Sequence, residues 1–326
     1  MANNRRAAVK KLKNFYLSPK IDINDFRMRL DSTFSSVFLP NNVECEEKSF
    51  KLVKCDILIP ELYSSNRVLL YVHGGSFVGG SRTAYRPFVA ALANATASKA
   101  YLPEFRLAPA HPFPASLEDI QQAFQSVYIE TESALSMSAD GEESSKTPEF
   151  IIMADTSGAS IATGLIFGLE GKFRASIRQV VLFSPWLDFS ENNDMFTSKK
   201  VSDEIFTADS VRLASEHYTY QENWSNPLVS PLKATREVLR DFPPVYIQMG
   251  EKEIFYDDAV MFQSMLRNSG RKCEIDIWEN MMPLFQMADE ELAEAHLAVE
   301  KIGRLITAKD HSHESVREIQ LELERS

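Results

Sequence analysis

The chain reads as an α/β protein, a mostly parallel central sheet with helices on both faces, and three observations predict it. Short apolar runs and segments of helical spacing take turns along the sequence. Several of the runs are apolar throughout, as in strands covered on both sides. With 326 residues, 44% of them hydrophobic, the chain is long enough to bury one large core.

Strands are expected at residues 50–59, 68–72, 150–153, 180–183, 245–249 and 274–278, where alternating or continuous apolar residues lie between turn signals. Helical spacing marks residues 85–97, 117–131, 160–169, 257–268 and 290–306. Two segments break the rhythm. Residues 136–147 are polar and rich in Ser, Asp and Glu, which predicts a mobile surface loop. Residues 195–231 are expected to join an N-terminal helical segment, residues 1–45, in a small cap over a main domain of residues 46–308. Residues 309–326 form a charged tail, read as a loose helix without chemistry of its own.

Charge narrows the function classes. A formal net charge of −11 argues against a nucleic-acid partner, which needs a clustered basic surface. The one basic stretch is N-terminal: Arg5, Arg6, Lys10, Lys11, Lys13 and Lys20 interleave with Val9, Leu12, Phe15 and Leu17. That pattern fits a targeting or membrane-surface helix, or a cap helix whose apolar stripe packs on the body, and the second reading is favoured. No apolar run is long enough for a signal segment or a bilayer span, so no membrane span is expected and the location is read as cytoplasmic. Cys45, Cys55 and Cys273, odd in number and widely spaced, read as reduced, buried thiols. No motif requires a metal or a cofactor.

Two motifs carry chemistry on physical grounds. His73-Gly74-Gly75-Ser76-Phe77 directly follows a strand. Acyl transfer needs backbone N–H donors aimed at a developing oxyanion, and glycines let the main chain approach closely. The second is the strand at 150–153 followed by Ala154-Asp155-Thr156-Ser157-Gly158-Ala159-Ser160 and a helix, the setting of a nucleophile elbow. Small residues flank Thr156 at Ala154 and Gly158. Placing Ser157 at the turn instead would put Asp155 where a side chain crowds the strained backbone.

Between these lies Phe105-Arg106-Leu107-Ala108-Pro109-Ala110-His111-Pro112-Phe113-Pro114-Ala115. With it the chain resembles the hormone-sensitive-lipase-like carboxylesterases of the α/β-hydrolase fold, which have Tyr-Arg-Leu-Ala-Pro-Glu-His-Pro-Phe-Pro-Ala here. The resemblance spans residues 68–306 and implies an α/β-hydrolase fold with a small cap. It implies an oxyanion hole at Gly74, Gly75 and the amide of Ser157, and a structural role for the proline-rich run, with Arg106 paired to a carboxylate beneath the site. His111 is read as structural.

The resemblance also implies a triad, and here the chain departs from the family. The nucleophile position, serine in the family, holds Thr156. The acid position falls on Glu253, three residues past Gly250, with Asp257 as second choice. The histidine position, within Met281-Met282-Pro283-Leu284-Phe285, holds Pro283, which has no side-chain proton to exchange. Of the other histidines only His217, in the expected cap, is free enough to stand in as a base. The sequence therefore predicts a catalytically impaired esterase relative that keeps an oxyanion loop and an apolar pocket for a small apolar or ester-like ligand. Plant gibberellin receptors, with a similar His-Gly-Gly-Ser-Phe loop and a lost histidine, are the analogy. The alternatives are an active carboxylic-ester hydrolase using Thr156, and a regulatory or structural subunit in a homo- or heterodimer.

Overall fold

The computed structural model describes residues 2–35, 38–138, 147–190 and 203–324, and side chains as far as residue 308. Two helices, α1 (Ala2–Leu12) and α2 (Ile23–Phe34), precede β1 (Val43–Phe50) and β2 (Val53–Pro60). Then come β3 (Arg67–Val72), α3 (Arg82–Ala95), β4 (Lys99–Pro103), α4 (Ala115–Ser138), β5 (Glu149–Asp155), α5 (Thr156–Gly168), α6 (Gly171–Ala175) and β6 (Ile177–Phe183). The chain continues through α7 (Ala208–Tyr218), α8 (Arg236–Leu239), β7 (Val245–Gly250), α9 (Tyr256–Asn268), β8 (Cys273–Trp278) and α10 (Ala293–Glu324).

The strands form one eight-stranded sheet in the order β1-β2-β4-β3-β5-β6-β7-β8. β1, β2 and β4 pair antiparallel in succession, and every pair from β4 to β8 is parallel. The architecture is an α/β-hydrolase sheet. Every residue of β3 and β7 is buried, and β5 and β6 each have one half-buried residue at or near the start, the burial that helices on both faces impose. Helix starts follow local chemistry: Asp22 accepts from Asn24 N–H at α2, Ser81 from Ala84 N–H at α3, and Thr207 with Ser210 closes a capping box at α7.

Several expectations are corrected. Residues 50–59 are not one strand but the second half of a hairpin that turns at Lys51 (φ 55°). β1 escaped notice because only its two end residues are buried, so it carries no apolar alternation. β4 lay hidden ahead of the proline-rich run. Of the supposed loop at 136–147, residues 136–138 belong to α4 and 139–146 lie outside the described residues. The charged tail is helical, its backbone continuing α10 to Glu324. Cys55 and Cys273 are buried free thiols, but Cys45 is exposed, because β1 faces solvent along its middle.

The N-terminal stripe packs on the body, with Ala8, Leu12, Phe15 and Leu17 fully buried. Burial of side chains of this size contributes about 1.5–3 kcal/mol each. The basic face is tied down as well: Arg5 pairs with Glu204 and donates to Asn280 O, and Lys11 pairs with Glu290 and Glu291. Among the described residues no helix is long and apolar enough to cross a membrane.

Candidate active site

β3 and β5 are neighbours in register, with Val72 opposite Ala154, so the segments leaving their carboxyl ends emerge side by side. Gly75, Ser76 and Phe77 take successive positive φ values of 102°, 58° and 62°. The turn after β5 places Thr156 at φ 41°, a costly conformation for a β-branched residue. Ser157 already lies inside α5.

The two turns lock together at glycines. A Cβ on Gly74 would sit 2.1 Å from Thr156 Oγ1 and 2.3 Å from Asp155 Oδ2. One on Gly158 would sit 2.2 Å from the Val72 carbonyl oxygen, so α5 rests backbone to backbone on the end of β3. Residues from the N-terminus hold the outer side. A Cβ on Gly79 would strike the Phe26 ring at 2.4 Å, and Arg27 donates to Val78 O (2.6 Å) and Ala108 O (3.0 Å).

Asp155, fully buried, organises this side of the site. It accepts from Gly74 N–H (2.8 Å), Tyr71 OH (2.9 Å), Tyr85 OH (3.1 Å) and the Thr156 hydroxyl (3.1 Å). Burial pushes its carboxyl up to about 6, while those four donors pull it down. The Gly74 amide is thereby committed to Asp155. Of the expected oxyanion donors, Gly75 N–H has no acceptor among the described residues, and Ser157 N–H, in the first turn of α5, has none within its helix. The Ser157 hydroxyl accepts from Phe77 N–H (3.2 Å) and so braces the loop against α5.

The opposite side of the site is built from the ends of β6, β7 and β8. Glu253 is buried and turns Oε1 toward Gly250 N–H and the Ser184 hydroxyl, which donates at 2.9 Å. Ser184 in turn accepts from Leu284 N–H (3.3 Å), linking the acid to the segment that carries Pro283. A Cβ on Gly250 would meet Met281 O at 2.2 Å, so the same segment is pressed against the turn before Glu253. Pro283 is buried within a run, residues 281–288, that is buried throughout. Glu253 Oε2 is buried and has no hydrogen-bond partner. Burial holds this carboxyl well above the usual carboxylate range; Gly250 N–H and Ser184 oppose the shift and the Asp203 carboxylate adds to it. Burial in this setting disfavours the charged carboxylate.

Asp203 latches the chain ahead of α7 onto this side, accepting from Ile254, Ile205 and Phe206 N–H groups at 2.7–2.9 Å. Burial pushes its own carboxyl up to about 6. Above Thr156 stands a wall of aromatic rings. Phe77 stacks on Tyr218 at 3.9 Å, Trp186 on Phe189 at 4.6 Å, and Trp186 on Phe255 at 5.7 Å. Beside Thr156, between Ser76, Ser157, Phe206 and Val211, is a void of about 10 Å³, room for a single water.

The remaining candidates lie elsewhere. Asp257 is exposed in the first turn of α9, while its neighbour Asp258, not anticipated from the sequence, is buried and accepts from Leu187 and Asp188 N–H groups. His217 is half-buried on α7 and is not among the residues around the void. His73 is buried between Phe105 (4.2 Å) and Tyr85 (5.1 Å), with Nδ1 2.8 Å from Gly74 O; burial lowers its pKa. Arg106 does pair with carboxylates, Asp119 and Glu118, but at the exposed start of α4 rather than beneath the site. His111 is exposed. Besides Asp258, the sequence reading missed Ser184, Asp203 and the aromatic wall, of which only Phe77 belongs to a motif; Asp155 stood in plain view inside another. Among the described residues no group of His, Cys, Asp and Glu is arranged to hold a metal ion.

Fold and site now meet in one class. Residues 69–287 match the model of the alpha/beta hydrolase fold family, and the chain belongs to that family. It is similar to an esterase of Acinetobacter venetianus (25% identity, 76% of this chain and 77% of the relative) and to an acetyl-hydrolase of Streptomyces hygroscopicus (25%, 74% and 75%). The solved structure of an esterase from the bacterial hormone-sensitive lipase family superposes with a TM-score of 0.79, at 22% identity over 94% of this chain and 98% of that one.

Proposed function

We propose that this chain is a catalytically impaired member of the esterase and lipase branch of its fold. In this reading Thr156 occupies the nucleophile position, Glu253 the acid position and Pro283 the histidine position. The observation that carries it is the buried, unpartnered Oε2 of Glu253 beside a segment whose histidine slot holds a proline. An acid whose task is to orient an imidazolium needs that imidazole as its partner. Here Glu253 Oε2 has no partner and the Thr156 hydroxyl donates to Asp155, so no group draws a proton through an Asp/Glu–His–hydroxyl chain.

What remains is a binding architecture. The oxyanion loop is held with Gly75 and Ser157 as its donors, Gly74 serving Asp155 instead. Residues 195–231, of which 195–202 lie outside the described residues, and the N-terminal helices act as a cap, which Phe206 and Val211 at the void and Phe26 at Gly79 support. A small apolar or ester-like ligand enters only if the cap or the aromatic wall moves, because the void beside Thr156 holds one water. The reduced state of the free cysteines fits a cytoplasmic location.

A second reading, hydrolysis by Thr156 itself, draws on the 3.1 Å hydrogen bond from its hydroxyl to Asp155. Hydrolysis of short-chain p-nitrophenyl esters by the native protein and by Thr156→Ala separates the two. The impaired reading expects at most the residual acceleration of about 10³–10⁴ over water that binding and an oxyanion hole supply, unchanged by the substitution. Turnover abolished in Thr156→Ala would establish Thr156 as a nucleophile.

A further inference from the structure

A sizeable cavity lies at the other end of the sheet from Thr156. It is a groove of about 670 Å³ at the amino ends of β7 and β8, bounded by Val245, Cys273, Leu305 of α10 and the turn from α9 into β8. Its volume is in the range of small-molecule sites. Three cations converge on it: Arg267 from the last turn of α9, and Arg271 and Lys272 from the turn. Among the described residues none of the three makes an ion pair, in a chain where acids outnumber bases 46 to 35.

The cations are placed by local structure. Gly270, at φ 74°, turns the chain, and Arg271 N–H donates to Leu266 O. Arg271 is half-buried and its Nε donates to Phe242 O at 2.6 Å, which aims the guanidinium while leaving both terminal nitrogens without a partner among the described residues. The Tyr246 hydroxyl at the rim is already given to Asp276 (2.7 Å), and burial pushes the Cys273 thiol up to about 12, so neither contributes charge. Glu274 is the one acid lining the groove, and three cations against it leave two net positive charges. A bare helix terminus would call for one cation at most, and Arg267 alone fills that role.

We propose that this groove binds a phosphate monoester with a compact apolar body. The dianion matches the net charge, and a guanidinium with free terminal nitrogens matches phosphate oxygens. Pro244, Val245 and Leu305 supply an apolar wall for the organic part. The site is independent of whether Thr156 is reactive.

Calorimetric titration of the full chain with phenyl phosphate, inorganic phosphate and phenol tests it, alongside the double variant Arg267→Ala/Lys272→Ala. Both residues are exposed, and unchanged thermal unfolding will show that the variant folds. Phenyl phosphate is expected to bind one to one and at least about tenfold tighter than inorganic phosphate, through apolar burial of the ring. The double variant should weaken it by about tenfold for each cation removed. Phenyl phosphate that does not bind, binds no better than inorganic phosphate, or binds the double variant equally well would overturn the proposal.

Discussion

The two sides of the candidate active site are preserved to different degrees. On the β3–β5 side the carboxylate is fully answered: Asp155 takes four donors, Phe77 N–H finds Ser157, and three glycines make room for contacts that no Cβ would allow. On the β7–β8 side Glu253 is buried, its carboxyl is held above the usual range, and Oε2 is unpartnered. The backbone of the first side is demanded by packing whether or not a reaction occurs, because α5 rests on the end of β3 and the loop after β3 rests on Asp155. The proton relay is demanded only by catalysis. In the reading proposed above, a proline stands at the histidine position of a buried segment, whereas Gly158 has no room for a methyl group.

Breaking the intact side should therefore give the largest effect on stability. Gly158→Ala and Gly74→Ala each force a Cβ into contacts near 2.2 Å, and a loss on the order of 3 kcal/mol or more is expected in denaturant unfolding. If both variants unfold like the native protein, the two turns are not locked as described.

The other side should respond to pH instead. Glu253 carries its proton in the folded state at a pH where the unfolded chain, near the ordinary 4.5, has lost it. The folded protein then binds the extra proton, so this group's contribution falls as pH rises above the unfolded value, by about 1.4 kcal/mol per pH unit until the folded pKa is reached. Glu253→Gln removes the titration. Its stability relative to native should rise steadily from pH 5 upward, and a flat difference across that window would mean that Glu253 is ionised in the fold.

The smallest effect belongs to the ion pair of the N-terminal latch. Arg5 and Glu204 are both partly exposed, so Arg5→Ala should cost roughly 0.5 kcal/mol in thermal unfolding, less in high salt. Truncating Phe15, buried against Tyr85, should cost about 3–5 kcal/mol. A reversal of that order would make the helix electrostatically, not apolarly, attached.

The sequence made the first side legible and most of the second illegible, for a physical reason. Loop and elbow are local: consecutive glycines and small residues have to sit at fixed spacing, so His73 to Phe77 and Ala154 to Ser160 announce themselves. The parallel strands are apolar throughout and were equally visible. β1 was not, since its middle faces water. Ser184 and Asp203 contribute by approaching Glu253 from distant parts of the chain, and no local pattern encodes that. The aromatic wall was unreadable for the same reason: Phe77, Trp186, Tyr218 and Phe255 come from four segments. Gly74 was misjudged because its amide looks like its neighbour's until Asp155 is seen to take it.

The most direct test of the account is ester hydrolysis by the doubly restored variant Thr156→Ser/Pro283→His. The relay reaches Glu253 Oε2 only if an imidazole stands where Pro283 does now. The restored variant is expected to hydrolyse short-chain p-nitrophenyl esters at least about 10²-fold faster than the native protein, on the scale by which a working triad exceeds an oxyanion hole alone. No gain, with the variant folded, would contradict the claim that the intact side is ready for catalysis and the relay alone is missing.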